Sequence, residues 1–208
     1  QILLRRVLEA YEGFSFHIIY HSIHNFCVTE LSSLYLDILK ERLYVSSPSS
    51  ERRRSAQSAM YLILKGMLRL MAPILSFTAE EAWGHLPKEE DDPESVHLAL
   101  FPEPDEGLMD EELNRRWKRL LEIRGEVTKA LEEARRRKEI GHSLDASLTI
   151  RGQKELISFL EGWGGELREI FIVSQVNLEV SNGEMEVEVR LSLIHISEPT
   201  RLGMISYA

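Results

Sequence analysis

Three histidines and the single cysteine of the chain stand at spacings that can bind a metal ion. His17, His21 and His24 recur at i, i+4 and i+7 on one predicted helix face, and Cys27 follows three residues later. Imidazole and thiolate groups at such spacings are zinc ligands. The H-E-x-x-H pattern is missing, because Ile18, not a glutamate, follows His17. Since histidines in such positions are more often packing residues, we predict no metal site, and no basic neighbour marks Cys27 as a nucleophile.

Two adjacent carboxylates, Glu80 and Glu81, are the chain's candidate for acid–base chemistry. Adjacent residues on a helix point about 100° apart, so these two side chains do not converge on one substrate. Their predicted place in a first helical turn favours capping and interaction with the helix dipole instead. We predict no catalytic residue in this chain.

A basic and aromatic group surrounds the loop VSSPSS. Its members end one predicted helix and begin the next: Lys40, Arg42, Tyr44, Arg52, Arg53 and Arg54. Cations can neutralise RNA phosphates, and a tyrosine ring can stack on an unpaired base. The alternative is a solvated charged end without a ligand.

A second basic group lies on a later predicted helix and could line the same groove: Arg115, Arg116, Lys118, Arg119 and Arg124. Four more cations, residues 135–138, stand near the end of that helix, where the helix dipole alone would favour them. For this second group, two alternatives remain equal: its cations contact RNA, or they only stabilise the helix.

Composition restricts the classes of function. The net charge of -9 argues against a chain that binds nucleic acid over its whole surface. The charge is uneven, however: residues 40–69 carry +5, residues 80–112 carry -12 and residues 115–138 carry +6. No apolar run reaches the roughly 18 residues that span a bilayer, and no secretory signal is present. With one cysteine there is no internal disulfide, so we expect a cytoplasmic protein. We also expect a monomer without membrane or DNA contacts.

Apolar periodicity predicts a mainly α fold, with an antiparallel helical bundle followed by a small α/β module. The predicted helices cover residues 16–44, 52–71, 79–86, 110–138 and 153–170, and Gly141 is expected to cap the fourth. Residues 96–101 look extended, and residues 144–150 alternate as in a strand. Two further strands flank Asn182-Gly183, which favours a hairpin turn. The predicted domains are residues 1–108 and 109–190, with a separate tail at 191–208.

The stretch MAPILSFTAEEAW contains a break between two predicted helices. Pro73 lacks an N–H and ends the first helix. Thr78 is expected to cap the second helix, with Glu81 closing a capping box. Phe77 would add a weak hydrophobic staple, and Trp83 would face inward and seal the end of the bundle.

Three stretches resemble the anticodon-binding region of class I aminoacyl-tRNA synthetases of the isoleucine, valine, leucine and methionine group. The first is MAPILSFTAEEAWGHLP. The second, FCVTELSSLYLDILKERLY, is more similar to isoleucyl-tRNA synthetases than to their relatives, and the third is RGEVTKALEEARRRKEIGHSLDASLTI. The resemblance covers about residues 1–190. Valyl-, leucyl- and methionyl-tRNA synthetases remain the closer alternatives, and a helical protein-interaction module without RNA binding is the alternative of another class.

The resemblance implies a part of a longer enzyme that joins isoleucine to tRNA-Ile. ATP with Mg²⁺ and, in bacterial members, zinc would serve that parent enzyme, whereas we expect no cofactor in this chain. The nucleotide motifs and the editing region of the family are missing here and would lie upstream of Gln1. The tail LSLIHISEPTRLGMISYA resembles translated sequencing adapter, so residues from about Leu191 onward are expected to be non-native; a divergent natural tail is the alternative.

Overall fold

The computed structural model describes residues 1–192, and the chain divides after Asp110 into two compact units. The first unit is a helical bundle, and the second combines helices with a three-stranded sheet, which confirms the predicted fold class. Of the predicted tail, only Leu191 and Ser192 are described: Leu191 ends the last strand, and the Ser192 N–H donates to Asp145 O. Residues 193–208 lie outside the described part of the chain.

The first unit contains six α-helices. Their bounds are α1 Ile2–Glu12, α2 Phe16–Asn25, α3 Leu36–Ile38, α4 Lys40–Tyr44, α5 Glu51–Met71 and α6 Ser76–His85. Between α2 and α3 the chain is π-helical over Phe26–Tyr35, so the predicted helix at 16–44 is helical but not uniformly α. Short 3₁₀ turns follow at Val96–Leu98 and Glu106–Leu108, and the first replaces the predicted extended piece.

Two apolar clusters hold the bundle together. Val7 and Ala10 of α1 pack with Ile19 and Ile23 of α2 and with Leu70 of α5. The second cluster joins the end of α5 to α6 and the first 3₁₀ turn: Leu68, Ala72, Ala79, Trp83, Leu86 and Val96. Both clusters follow from apolar residues at helical spacing, which places one face of each helix inward.

The predicted start of α6 is wrong. The helix begins at Ser76 after Leu75, because the turn behind α5 is tight enough for the Ala79 N–H to donate to Leu75 O at 2.8 Å. Thr78 therefore lies inside the helix, and no capping box with Glu81 forms. Phe77 is 92% exposed and makes no staple. Trp83 is fully buried, as the pattern predicted.

The second unit begins with the long helix α7, Glu111–Arg136. The predicted cap at Gly141 is wrong, because the chain turns earlier, at Lys138, which has a left-handed φ of 60°. The Glu139 N–H then donates back to Ala134 O at 3.0 Å, as in a Schellman motif. This early turn brings Ile140 into the core, where it is buried.

A 3₁₀ turn at Ser143–Asp145 leads into the sheet, whose strand order is β2-β1-β3. The strands are β1 Ala146–Gly152, β2 Gln175–Val180 and β3 Glu186–Leu191. The central strand β1 is parallel to β2 and antiparallel to β3, so Ile150 pairs with Leu178 on one side and Val187 on the other. The predicted hairpin is therefore wrong. Because Ala146, Leu148 and Ile150 are fully buried, β1 takes the centre, and the turn at Asn182-Gly183 joins the two edge strands.

The helical segment after β1 is broken where a single helix was expected. It forms α8 Lys154–Glu161 and α9 Glu166–Phe171. Three glycines interrupt it, and Gly164 adopts a left-handed φ of 52°, which ends the regular helix. Leu144, predicted as the first inward residue of the strand, is exposed in the preceding 3₁₀ turn.

Candidate nucleic-acid interface

The turn between α4 and α5 brings most of the first basic group to one end of the helical unit. Ser50 is the N-cap of α5, and its Oγ accepts a hydrogen bond from the Arg53 N–H at 3.2 Å. α4 packs against α5, so the two flanks of the turn stay side by side. Because the N-terminus of a helix carries partial positive charge, the start of α5 adds to the field of its arginines.

Two apolar side chains stand outward at this turn. Tyr44 is 81% exposed and Val45 is 76% exposed, although valine is among the residue types most often buried. An exposed tyrosine beside cations offers a flat ring on which an unpaired base can stack.

The cations at the turn have different surroundings. Lys40 forms an ion pair with Asp37, one helical turn earlier, and this partner raises the pKa of its ammonium group. Arg42 is half-buried near Tyr35, whose pKa is raised by burial and partly lowered by the arginine charge. Arg53 is also half-buried, whereas Arg52 and Arg54 are exposed.

The second basic group belongs to the other unit, where aromatic rings engage two of its members. The Arg116 guanidinium lies 5.0 Å from the centre of the Trp163 ring, and that of Arg119 lies 4.6 Å from the Phe159 ring. Arg119 also approaches Glu155 at 3.5 Å. These contacts join α7 to α8 and to the turn that follows it, so much of the charge has a structural role within its unit.

Two other cations of α7, Arg124 and Arg135, also contact their own unit, whereas Arg115 is exposed at the surface. Arg124 donates from Nε to Ile170 O at 2.9 Å, which satisfies a carbonyl near the end of α9. Arg135 contacts Glu132 and donates to Ser143 Oγ at 3.1 Å.

Comparison with known proteins assigns the chain to a family. Residues 1–150 match the family described as the anticodon-binding domain of tRNA ligase. The chain belongs to this family. It is 52% identical over 178 residues to the isoleucine–tRNA ligase of Geobacter sulfurreducens, a match that covers 86% of this chain and 19% of that relative. It is 48% identical over 192 residues to the isoleucine–tRNA ligase of Carboxydothermus hydrogenoformans, covering 90% of this chain and 21% of the relative. The chain therefore spans about a fifth of the length of these relatives.

Lys65 and Arg69 of the helical unit contribute to the basic segment at residues 40–69 but lie away from the α4–α5 turn. Lys65 Nζ lies 2.7 Å from Asp92 Oδ1, and Arg69 lies 3.5 Å from the same oxygen. Lys65 follows Arg53 by twelve residues, which is about 18 Å along α5. These two positive charges compensate the acidic loop, defined as residues 88–94, and are not available at the turn.

Sequence reasoning missed how Glu80 and the acidic loop are held. Glu80 Oε2 accepts hydrogen bonds from Ser95 Oγ and from the Val96 N–H, both at 2.9 Å. Trp83 donates from Nε1 to Pro93 O at 3.0 Å, and Lys88 lies 4.1 Å from the centre of its ring. A buried tryptophan close in sequence to a proline-containing acidic loop was the available signal, because its N–H needs a partner.

The histidines and Cys27 do not form a metal site in the structure. Within residues 1–192, no group of three or more His, Cys, Asp and Glu side chains is placed to hold a metal ion. The Tyr20 ring lies 5.2 Å from His21 and 5.6 Å from His24, between centroids. Cys27 lines an apolar cavity of about 260 Å³ with Ile23 and Met71, and burial raises the pKa of its thiol. The described histidines and Cys27 therefore do not fit the zinc that the family resemblance implies for bacterial members.

No helix in the described range is both long enough and apolar enough to cross a lipid bilayer.

Proposed function

We propose that this chain recognises the tRNA anticodon stem-loop as part of an isoleucine–tRNA ligase, and that the α4–α5 turn is its RNA-contacting surface. The observation that carries the proposal is the exposed Tyr44–Val45 pair beside the arginines of the first turn of α5. It occurs in a chain whose first 150 residues match the anticodon-binding domain of tRNA ligases.

The mechanism is positional. Arg52 and Arg54, together with the positive end of the α5 dipole, contact phosphates of the anticodon stem and fix the orientation of the RNA. Tyr44 stacks on an unpaired base of the loop, where sequence can be inspected. Lys40 and Arg42 add to the positive potential of the turn, although Asp37 compensates part of it. In the second unit, exposed Arg115 is a further phosphate contact, while Arg119 contacts Phe159 of α8 and Arg116 contacts Trp163 in the turn after it.

The choice of isoleucine rests on the names of the relatives. The longer ligase would attach isoleucine to tRNA-Ile with ATP and Mg²⁺, and with zinc in bacterial members, through parts outside this chain. The contribution of this chain would be to bring the correct tRNA to that chemistry in the cytoplasm, as a monomer.

The test is binding of the chain to a tRNA-Ile transcript and to the same tRNA with a changed anticodon, at two salt concentrations. Wild type should prefer the correct anticodon and bind more weakly as salt rises. Tyr44→Ala should weaken binding by about tenfold, because stacking of a base on an aromatic ring is worth about 1–3 kcal/mol.

The matched control is Phe77→Ala, which removes another largely exposed ring, in the first turn of α6, and should leave the affinity unchanged. Equal loss in both variants would contradict a stacking role for Tyr44. No binding by wild type at low salt would refute RNA recognition by this chain.

One observation favours a second candidate, a protein-interaction module. Phe14, Phe77 and Leu100 are large apolar residues that lie largely exposed in the helical unit, and Phe14 adopts a left-handed φ of 51°. Exposed apolar residues mark a protein-binding surface where they form one contiguous patch. Failure of the tRNA titration together with concentration-dependent association that Phe77→Ala abolishes would favour this candidate.

A further inference from the structure

We propose that Arg53 is a positioning residue of the RNA-contacting turn and not a phosphate ligand. The inference rests on the proposed function of the turn. In sequence, Arg52, Arg53 and Arg54 are three equivalent cations at a helix start. In the structure, the side chain of Arg53 reaches back across the turn to a backbone carbonyl.

The side chain of Arg53 connects the two flanks of the turn. Its Nη1 donates to Ser46 O at 3.0 Å, seven residues earlier in the chain. Its own N–H donates to Ser50 Oγ at 3.2 Å, so the same residue also completes the N-cap of α5. A guanidinium bonded to a backbone carbonyl and half-buried has lost part of its capacity to contact a phosphate.

The carbonyl that accepts from Arg53 belongs to Ser46, which directly follows Tyr44 and Val45 in the chain. Its position therefore affects where these two side chains lie. Before it, the Val45 N–H donates to Glu41 O at 2.9 Å and ends α4; after it, the Ser50 N–H donates to Ser47 O at 2.9 Å. Between these two bonds, the Ser46 N–H donates to Glu41 O at 3.3 Å, and the Ser46 carbonyl accepts from the side chain of Arg53. Without it, residues 46–49 gain conformational freedom, and an RNA ligand must fix them again on binding.

Salt dependence separates positioning from direct contact. Each phosphate that a side chain neutralises adds about 0.9 to the slope of log affinity against log salt on duplex and about 0.7 on single strands. Arg53→Ala should weaken tRNA-Ile binding by about tenfold, the value of one charge-assisted hydrogen bond, with the wild-type salt slope retained. Arg54→Ala, the matched control on the next residue, should reduce the slope by nearly one.

A decrease of the slope in Arg53→Ala equal to that in Arg54→Ala would show that Arg53 contacts a phosphate and would overturn the inference. An unchanged affinity in Arg53→Ala would overturn it as well. Arg53→Lys keeps the charge and one donor, so it should recover part of the affinity at the wild-type slope.

A measurement without RNA makes this inference distinguishable from the proposed function. Hydrogen exchange of the Ser46 and Ser50 amides should become at least several-fold faster in Arg53→Ala than in wild type, and should not change in Arg54→Ala. Faster exchange in a chain that fails to bind tRNA would refute the function and keep Arg53 as the residue that holds the turn. Normal exchange in a chain that binds tRNA would refute the positioning role alone.

Discussion

The ion pair between Lys65 and Asp92 should be the most sensitive polar contact of the helical unit. Asp92 has a side chain that is only 4% exposed, and that of Lys65 is 10% exposed. Asp92 contacts Lys65 Nζ at 2.7 Å and Arg69 at 3.5 Å, and its Oδ2 accepts the Glu89 N–H at 2.9 Å. Asp92→Asn removes the negative charge and leaves Lys65 with Glu89 as its remaining acidic partner.

Breaking one side of a buried ion pair costs about 3–5 kcal/mol. Glu89 is largely exposed and compensates Lys65 in part, so we expect Asp92→Asn to lower the free energy of unfolding by about 3 kcal/mol, at the low end of that range. Hydrogen exchange of α5 and α6 amides reports on this unit separately, and amides of the second unit serve as an internal reference. Asp91→Asn is the matched control, because it removes an exposed charge next in the chain and should change stability by less than about 0.5 kcal/mol.

The pH dependence gives the same contact a second test. Burial alone would raise the pKa of Asp92, but hydrogen bonds from Lys65 and the Glu89 N–H outweigh it and hold the pKa below its ordinary value. A carboxyl with a lowered pKa contributes stability that is present above its unfolded pKa, about 3.9, and is lost as the pH falls through the folded value. The difference between wild type and Asp92→Asn should therefore be constant from about pH 5 to 8 and shrink below about pH 4. A difference under 0.5 kcal/mol at pH 7, or one that grows on acidification, would refute the role given to this pair.

Two further predictions concern stability. Glu80→Ala should lower the free energy of unfolding by about 2 kcal/mol, because it leaves the buried Val96 N–H without its acceptor. The control Glu81→Ala removes an exposed carboxylate and should lower it by less than about 0.5 kcal/mol. Equal effects of the two variants in thermal unfolding would contradict the contact. Lys138→Gly should stabilise the second unit by about 0.5–1 kcal/mol, because glycine adopts the left-handed φ without a Cβ penalty, while Lys129→Gly within α7 should destabilise it by about 1 kcal/mol.

The helices of the first unit were predictable because their apolar residues recur at helical spacing. The π-helical geometry at Phe26–Tyr35 was not predictable from that spacing, and no residue of this segment is fully buried. Element boundaries were less predictable where tertiary contacts decide them. The start of α6 depends on the tight turn behind α5, and the turn at Lys138 depends on burial of Ile140. The Asn182-Gly183 hairpin failed because local turn preference does not show that β1 lies between the flanking strands.

At the candidate site, the sequence predicted the location of the basic turn but not the separate roles of its cations. Local spacing cannot show that Arg53 bonds to Ser46 or that Lys65 is compensated by Asp92, because these partners meet only in the folded chain. Charge counts over a segment therefore overstate the positive potential that a ligand meets. The exposure of Tyr44 could not be predicted from its residue type either, because tyrosine is common both in protein interiors and at surfaces.

The position of β1 at the centre of the sheet sets the order in which the second unit can form during synthesis. β1 leaves the ribosome first and can pair with β2 once residue 180 has emerged, but its other edge stays open until β3 is made. Until residues 186–191 have been added, the apolar side chains and unpaired N–H groups of β1 form an exposed strand edge that can pair with another chain. Shortening the chain before Glu186 would make that transient edge permanent, and aggregation of the nascent unit would follow, although every helix of the first unit remained intact.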